Sequence, residues 1–228
     1  MPGNMVQFTT NGKQSRGYLA APASGGRPGV VVIQEWWGLV DHIKNVADRF
    51  AEAGYVALAP DLYHGKTTSS PDEAGKLMMA LNILEAHKDL GGAIDYLVSN
   101  SATQGDRVGV VGFCMGGQLA LYAASLNGRI GACVDFYGVH PNVKPDYSRI
   151  EAPVLGLFAE KDGFVTKEVV SRLEADLKNA GVSIDFHTYP EASHAFFNDE
   201  RPDVYDQGAA QDAWTRVMDF FGKHLEGA

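Results

Sequence analysis

Arg107-Val-Gly-Val-Val-Gly-Phe-Cys-Met-Gly-Gly117 opens as a continuous apolar run and stops at a cysteine with glycine two residues away on each side, Gly112 and Gly116. A nucleophile carried on a sharp strand-to-helix turn holds a strained backbone conformation, and side chains at its minus-two and plus-two neighbours would crowd it. The residues that follow, Met115 to Ser125, have the apolar spacing and alanines of a helix packed on a sheet. Cys114 is therefore expected at a helix N-terminus, where the dipole and free backbone N–H groups favour a thiolate and can bind an oxyanion. The second cysteine serves as a control. Cys133 lies in Gly131-Ala-Cys-Val-Asp-Phe-Tyr-Gly138, a strand-like run with no glycine bracket and no helix start, and is read as inert core.

Outward from this turn, strands and helices alternate. Val6 to Thr10 and Ser15 to Ala21, separated by Asn11-Gly12, read as a hairpin. Gly29 to Gln34 and Tyr55 to Pro60 are continuous apolar runs of covered parallel strands, with a helical pattern from Asp41 to Ala53 between them that ends at Gly54. Helical patterns follow at Pro71 to Asn82 and Leu84 to Asn100, then the strand into Cys114 and its helix, then a strand at Ala132 to Tyr137. The series closes with a strand at Pro153 to Ala159, a helix at Lys167 to Ala180, a strand at Ser183 to Tyr189 and a helix at Gln207 to Leu225. Such alternation implies an α/β fold, a mostly parallel sheet of eight strands with helices on both faces. At 228 residues with no linker composition, a single domain over residues 1–228 is expected.

A hydrophobic fraction of 45% and a charged fraction of 21% are those of an ordinary globular protein. The formal net charge of −9, without a cluster of Lys and Arg, argues against nucleic acid as a partner. The first residues lack a basic start followed by an apolar stretch, and no apolar run approaches spanning length, so no membrane association is expected. Two cysteines do not make a disulfide framework, and a reducing, cytoplasmic compartment is expected, with a monomer or weak homo-oligomer as the assembly. No His, Cys and carboxylate cluster has metal-ligand spacing and no glycine-rich phosphate loop is present, so neither metal nor cofactor is expected.

In open α/β sheets ligands bind outside the carboxyl ends of the strands. His194 follows the last strand in Pro190-Glu-Ala-Ser-His-Ala-Phe-Phe197 and can reach back over the sheet end as a base for the thiol; its rival His187 lies within a strand. Asp162 follows Leu155-Gly-Leu-Phe-Ala-Glu-Lys in the order nucleophile, acid, histidine, and can orient that base; before Gly163 it is also readable as a turn former, and Asp135, inside a strand, is the weaker candidate. The loop Gln34-Glu-Trp-Trp-Gly38 after an early strand offers the second oxyanion donor, so the backbone N–H groups of Trp36 and Met115 form the expected pair. Glu35, beside that loop, is placed to accept the thiol proton or to hold the loop, or is a plain surface glutamate.

The elbow Gly-Phe-Cys-Met-Gly-Gly, the earlier Gln-Glu-Trp-Trp-Gly, the strand-end Glu-Lys-Asp162 and Ser-His-Ala-Phe-Phe together resemble the dienelactone hydrolase (carboxymethylenebutenolidase) family over nearly the whole chain. The resemblance implies an α/β-hydrolase fold, a triad at Cys114, Asp162 and His194, and a glutamate, Glu35, that interacts with the thiol. Members resemble one another in an arginine four residues past the histidine that helps hold a substrate carboxylate; this chain has Asn198 there. Lys66, Lys161 and Arg201 are the cations left to take that role, each also readable as a solvated surface charge.

The reaction expected of this arrangement is attack of the thiolate on a small ester or lactone, with amides disfavoured because thiolate is the better leaving group. Only a short connection, Tyr137 to Pro153, follows the sixth strand, so no cap and an open site are expected. Trp36, Trp37, Tyr63, Tyr137, Phe164, Phe196, Phe197 and Asn198 are the candidates for a substrate wall, the aromatic ones equally readable as core packing.

Overall fold

The computed structural model describes residues 2–226, so the first and last residues of the expected single domain lie outside it. Eight strands form one sheet in the order β1-β2-β4-β3-β5-β6-β7-β8: β1 (Asn4–Thr10), β2 (Lys13–Ala20), β3 (Gly29–Ile33), β4 (Val56–Pro60), β5 (Val108–Phe113), β6 (Ile130–Phe136), β7 (Val154–Ala159) and β8 (Ile184–Tyr189). The hairpin β1–β2 is antiparallel and β2 joins β4 antiparallel, while the six strands from β4 to β8 run parallel. Asn11 and Gly12 both adopt positive φ, 45° and 81°, the conformation a two-residue hairpin turn demands.

Alternation along the strands makes two cores. Val30 and Val32 of β3 point to one face, with Ile43, Val46 and Phe50 of α1 (Asp41–Glu52) and Ala213, Val217 and Phe221 of α6 (Gln207–Leu225). Val31 and Ile33 point to the other, which α3 (Ile83–Ser99), α4 (Met115–Ala124) and α5 (Lys167–Asn179) cover with residues such as Leu90, Leu119 and Leu177. The parallel strands β3 to β7 are thus buried on both faces, which is why these runs are nearly continuous apolar sequence, while the edge strand β8 alternates with polar residues.

The pair of helices after β4 differs in bounds from the sequence reading, which ended the first at Asn82 and began the next at Leu84. α2 spans Pro71–Ala80 and α3 begins at Ile83, because the Asn82 side chain accepts hydrogen bonds from the amides of Leu84 (3.1 Å) and Glu85 (3.2 Å). Asn82 is the N-cap of the second helix, not the end of the first. No helix among the described residues is long and apolar enough to cross a membrane.

The chain steps from β3 one way to β4 and returns to the other side at β5. This is the point where the carboxyl ends of neighbouring strands diverge and a crevice opens. Glu35 and Trp36 follow β3, Cys114 follows β5, and the site is built there.

The ring of Phe221 is fully buried, with centroids 5.9 Å from Phe50 and 6.1 Å from Tyr55, and it ties α6 to α1 and the sheet. Phe221→Ala is expected to cost about 3–5 kcal/mol of stability. A fall in the midpoint of denaturant unfolding, with activity per folded molecule retained, is the measurement that checks it.

Candidate active site

Cys114 sits between β5 and α4 with φ 55° and ψ −121°. Space, not only backbone freedom, explains the flanking glycines. A Cβ on Gly112 would lie 1.9 Å from the carbonyl oxygen of Gly116, and one on Gly116 would lie 2.5 Å from that of Ile33. The turn therefore closes only because both positions lack a side chain. Cys114 remains 7% exposed and lines a cavity of about 430 Å³, whereas Cys133 is fully enclosed and burial raises its thiol well above the usual range.

His194 and Asp162 meet at this cavity. His194 Nδ1 is 2.7 Å from Asp162 Oδ2, and His194 and Cys114 line the same cavity. The other carboxylate oxygen, Oδ1, accepts from the amides of Phe164 (2.7 Å) and Val165 (2.9 Å). Asp162 is thus a turn former and the partner of His194 at once, one oxygen for each. Burial pushes its carboxyl upward, but the bond and charge of His194 and the two amides outweigh it and hold the group below the ordinary carboxylate range. Burial likewise opposes protonation of His194, yet Asp162 and Cys114, by hydrogen bonding and negative charge, push its pKa up to about 10. His187 is outside the cavity, on β8, with its ring packed 4.4 Å from that of Tyr189.

Among the described residues, the backbone N–H groups of Trp36 and Met115 have no acceptor within the protein. The amide of Met115 belongs to the first turn of α4, where intrahelical partners are lacking. Glu35 is 1% exposed, lines the cavity, and its Oε2 accepts a 2.7 Å bond from Asn198 Nδ2. It is not a surface glutamate.

The cavity is lined by the expected Trp36, Trp37 and Phe164, but four of the aromatic candidates lie elsewhere. Phe196 and Phe197 are fully buried and pack on Phe136 in the core. Tyr137 is likewise buried, supporting His194 from behind at a ring distance of 4.9 Å. Tyr63 faces a neighbouring cavity with His64 and Lys66, and its hydroxyl touches Met115 Sδ at 3.2 Å. Asn198 also leaves the wall: it is 3% exposed and spends its amide on Glu35. In their place stand Met78 from α2, Val139 and Pro141 from the connection after β6, and Val204. These residues lie in irregular connections or on a weakly amphipathic helix, where sequence periodicity carries no signal. Of the three cations, Lys161 and Arg201 line the cavity and Lys66 does not. No metal-holding group of three His, Cys, Asp or Glu side chains occurs among the described residues.

Because its pKa is raised above the unfolded value, His194 contributes stability that is fully present below about pH 6.5 and is lost as pH rises toward 10. By NMR, its imidazole is expected to stay protonated on both nitrogens through pH 8 and to titrate lower in Cys114→Ala, which removes one of the groups that raise it.

Comparison with known proteins places this geometry in a family. The description "Dienelactone hydrolase family" matches residues 15–225. A protein named usf from Aquifex pyrophilus is 43% identical over 232 residues, covering 98% of this chain and 99% of its own. A relative from Aquifex aeolicus, named as a candidate carboxymethylenebutenolidase, is 36% identical over 231 residues, covering 98% and 100%. Among solved structures, a candidate dienelactone hydrolase from Klebsiella pneumoniae superposes with a TM-score of 0.86 at 28% identity, over 97% of this chain and 100% of that one. The chain belongs to the dienelactone hydrolase family and is, with it, a carboxylic ester hydrolase of the α/β-hydrolase fold.

Proposed function

We propose that this protein opens lactones and cleaves small activated esters through a thioester on Cys114. The observation that carries the reading is the Asp162–His194 hydrogen bond beside a thiol on a left-handed turn, with His194 and Cys114 lining one cavity. The butenolide in the name of the Aquifex aeolicus relative is a five-membered unsaturated lactone, and that name supports the same substrate class.

In the first step the Cys114 thiolate attacks the carbonyl carbon, forming a C–S bond while the carbonyl electron pair moves to oxygen. The oxyanion is held by the free N–H groups of Trp36 and Met115, each such donor worth roughly 3–4 kcal/mol in the transition state. Collapse reforms the carbonyl and breaks the bond to the alkoxy oxygen, which takes its proton from the His194 imidazolium. From a lactone that oxygen stays attached to the acyl chain as a hydroxyl. Neutral His194 then takes a proton from water, whose oxygen attacks the thioester; thiolate leaves, the carboxylic acid departs, and the imidazolium–thiolate pair is restored. Asp162 keeps the ring oriented and stabilises its charge throughout. Glu35, which is buried and lines the same cavity, is the group we assign to accept a thiol proton when Cys114 enters the cycle neutral.

The test is hydrolysis of a five-membered unsaturated lactone and of an aryl acetate by wild type and Cys114→Ala. The substitution is expected to lower kcat/KM by at least about a thousandfold on both, with a mass increase matching the acyl group on Cys114 in quenched wild-type reactions. Retained activity in Cys114→Ala, or an acyl group found on another residue, overturns the thioester mechanism. The ratio of the two substrates separates a lactonase from a general esterase.

A further inference from the structure

Three charged side chains besides the Cys114, His194 and Asp162 set line the cavity: Glu35, Lys161 and Arg201. The cations stand at the rim and each already has an acid. Lys161, with 56% of its side chain exposed, is bound by Glu191. Arg201 donates to Asp203 at 2.8 Å while its guanidinium lies 5.9 Å from the ring centre of Trp37. Charges so paired and so exposed are screened by water and contribute little field at the reacting centre.

Glu35 is in the opposite condition. It is buried on the floor, and the group that holds it, Asn198, is buried and neutral. An amide donor fixes the carboxylate without supplying an opposite charge to receive a second anion. The remaining wall is largely apolar, with Met78, Val139, Phe164 and Val204 beside the two indoles and Ser193, and it adds no further cation.

Resting on the assignment of Cys114 as nucleophile, we infer that the acyl group this site accepts is uncharged and apolar, and that the buried Glu35–Asn198 pair is the element that turns away substrates carrying their own carboxylate. Asn198 is here a specificity-determining residue that acts through Glu35. An acyl chain ending in carboxylate would place a second negative charge over Glu35 with no buried cation to receive it. A neutral chain of the same shape meets only the apolar wall.

The experiment compares two esters matched in shape, 4-nitrophenyl 5-methylhexanoate and the mono-4-nitrophenyl ester of glutaric acid, with the Cys114→Ala rate subtracted as background. Wild type is expected to favour the neutral ester in kcat/KM by at least about tenfold. Asn198→Arg, which supplies the missing cation, is expected to move that ratio toward the anionic ester by about tenfold or more. Because an arginine at a buried position can prevent folding, Glu35→Gln is the second variant: it lowers the rate on both esters but is expected to bring their ratio close to that of the two esters in alkaline hydrolysis. A wild-type preference for the glutaric monoester overturns the inference, as does a ratio unmoved by Glu35→Gln, which is what a purely structural pair would give. Absence of any Cys114-dependent turnover of either ester removes the nucleophile assignment, and this inference with it.

Discussion

The left-handed backbone of Cys114 is the constraint on which the rest of the site depends. A residue other than glycine at such a φ and ψ costs on the order of 1–3 kcal/mol and persists only where its surroundings over-determine it. Here the surroundings are backbone. The Cys114 amide donates to the carbonyl of Phe136 at 3.0 Å, and its own carbonyl accepts from Gly117 at 3.0 Å and Val139 at 3.1 Å. The end of β6 and the loop beyond it therefore hold Cys114 in place, and Val139 belongs at the same time to the cavity wall. The close approach of Gly116 to the carbonyls of Ile33 and Gln34 fixes the turn against the end of β3 as well. That contact sets the distance between the thiol and the loop carrying Glu35 and Trp36, so one packing arrangement strains Cys114 and assembles the groups around it.

The charges follow from the same geometry. His194 is buried between two aromatic rings, Tyr137 at 4.9 Å and Phe164 at 5.1 Å, which exclude water while offering an imidazolium the electron-rich character of their π systems. Desolvation alone would neutralise the ring. It is the anionic partner on each side, Asp162 and the Cys114 thiol, that reverses the sign. Tyr137 and Phe164 differ in their second duties: the first is sealed in the core, the second is 63% exposed and forms the cavity rim. Its exposed ring lies against the histidine at the mouth of the cavity.

Much of this was legible in the sequence because the relevant features are periodic or punctuated. Runs such as Gly29 to Ile33 announce strands covered on both faces, the Gly-x-Cys-x-Gly spacing announces the elbow, and the order of Cys114, Asp162 and His194 along the chain follows the order of strand ends along the sheet. What was not legible has a common cause. Residue type reports a tendency toward burial and not which apolar volume a side chain enters, so Phe196 and Phe197, adjacent to a loop that reaches the site, read as wall and pack as core. Met78 reaches the cavity from α2, a helix that buries only Ala74, and nothing in its local pattern says what lies opposite. Asn198 was misplaced for another reason. A position defined by what other chains carry there suggested contact with substrate, while the short amide reaches only as far as Glu35.

Two aspartates at the ends of neighbouring strands show what separates a group that works on the histidine from one that does not. Asp135, near the end of β6, lies under the elbow with its carboxylate against Gly117 and Gly138, fully buried, and with no side-chain hydrogen-bond partner for either oxygen among the described residues. Burial pushes its pKa up to about 7, only partly opposed by the backbone of Gly138. A carboxyl so placed is half neutral in the range where an imidazolium needs a firm counter-charge. Asp162, just past β7, is less completely enclosed and has two amides on one oxygen and an imidazole on the other, and stays ionised. The residue type is the same and the strands are adjacent. The difference lies in the fuller enclosure of Asp135 and in the Asp-Gly turn that follows Asp162, which aims two of the chain's own N–H groups at one carboxylate oxygen.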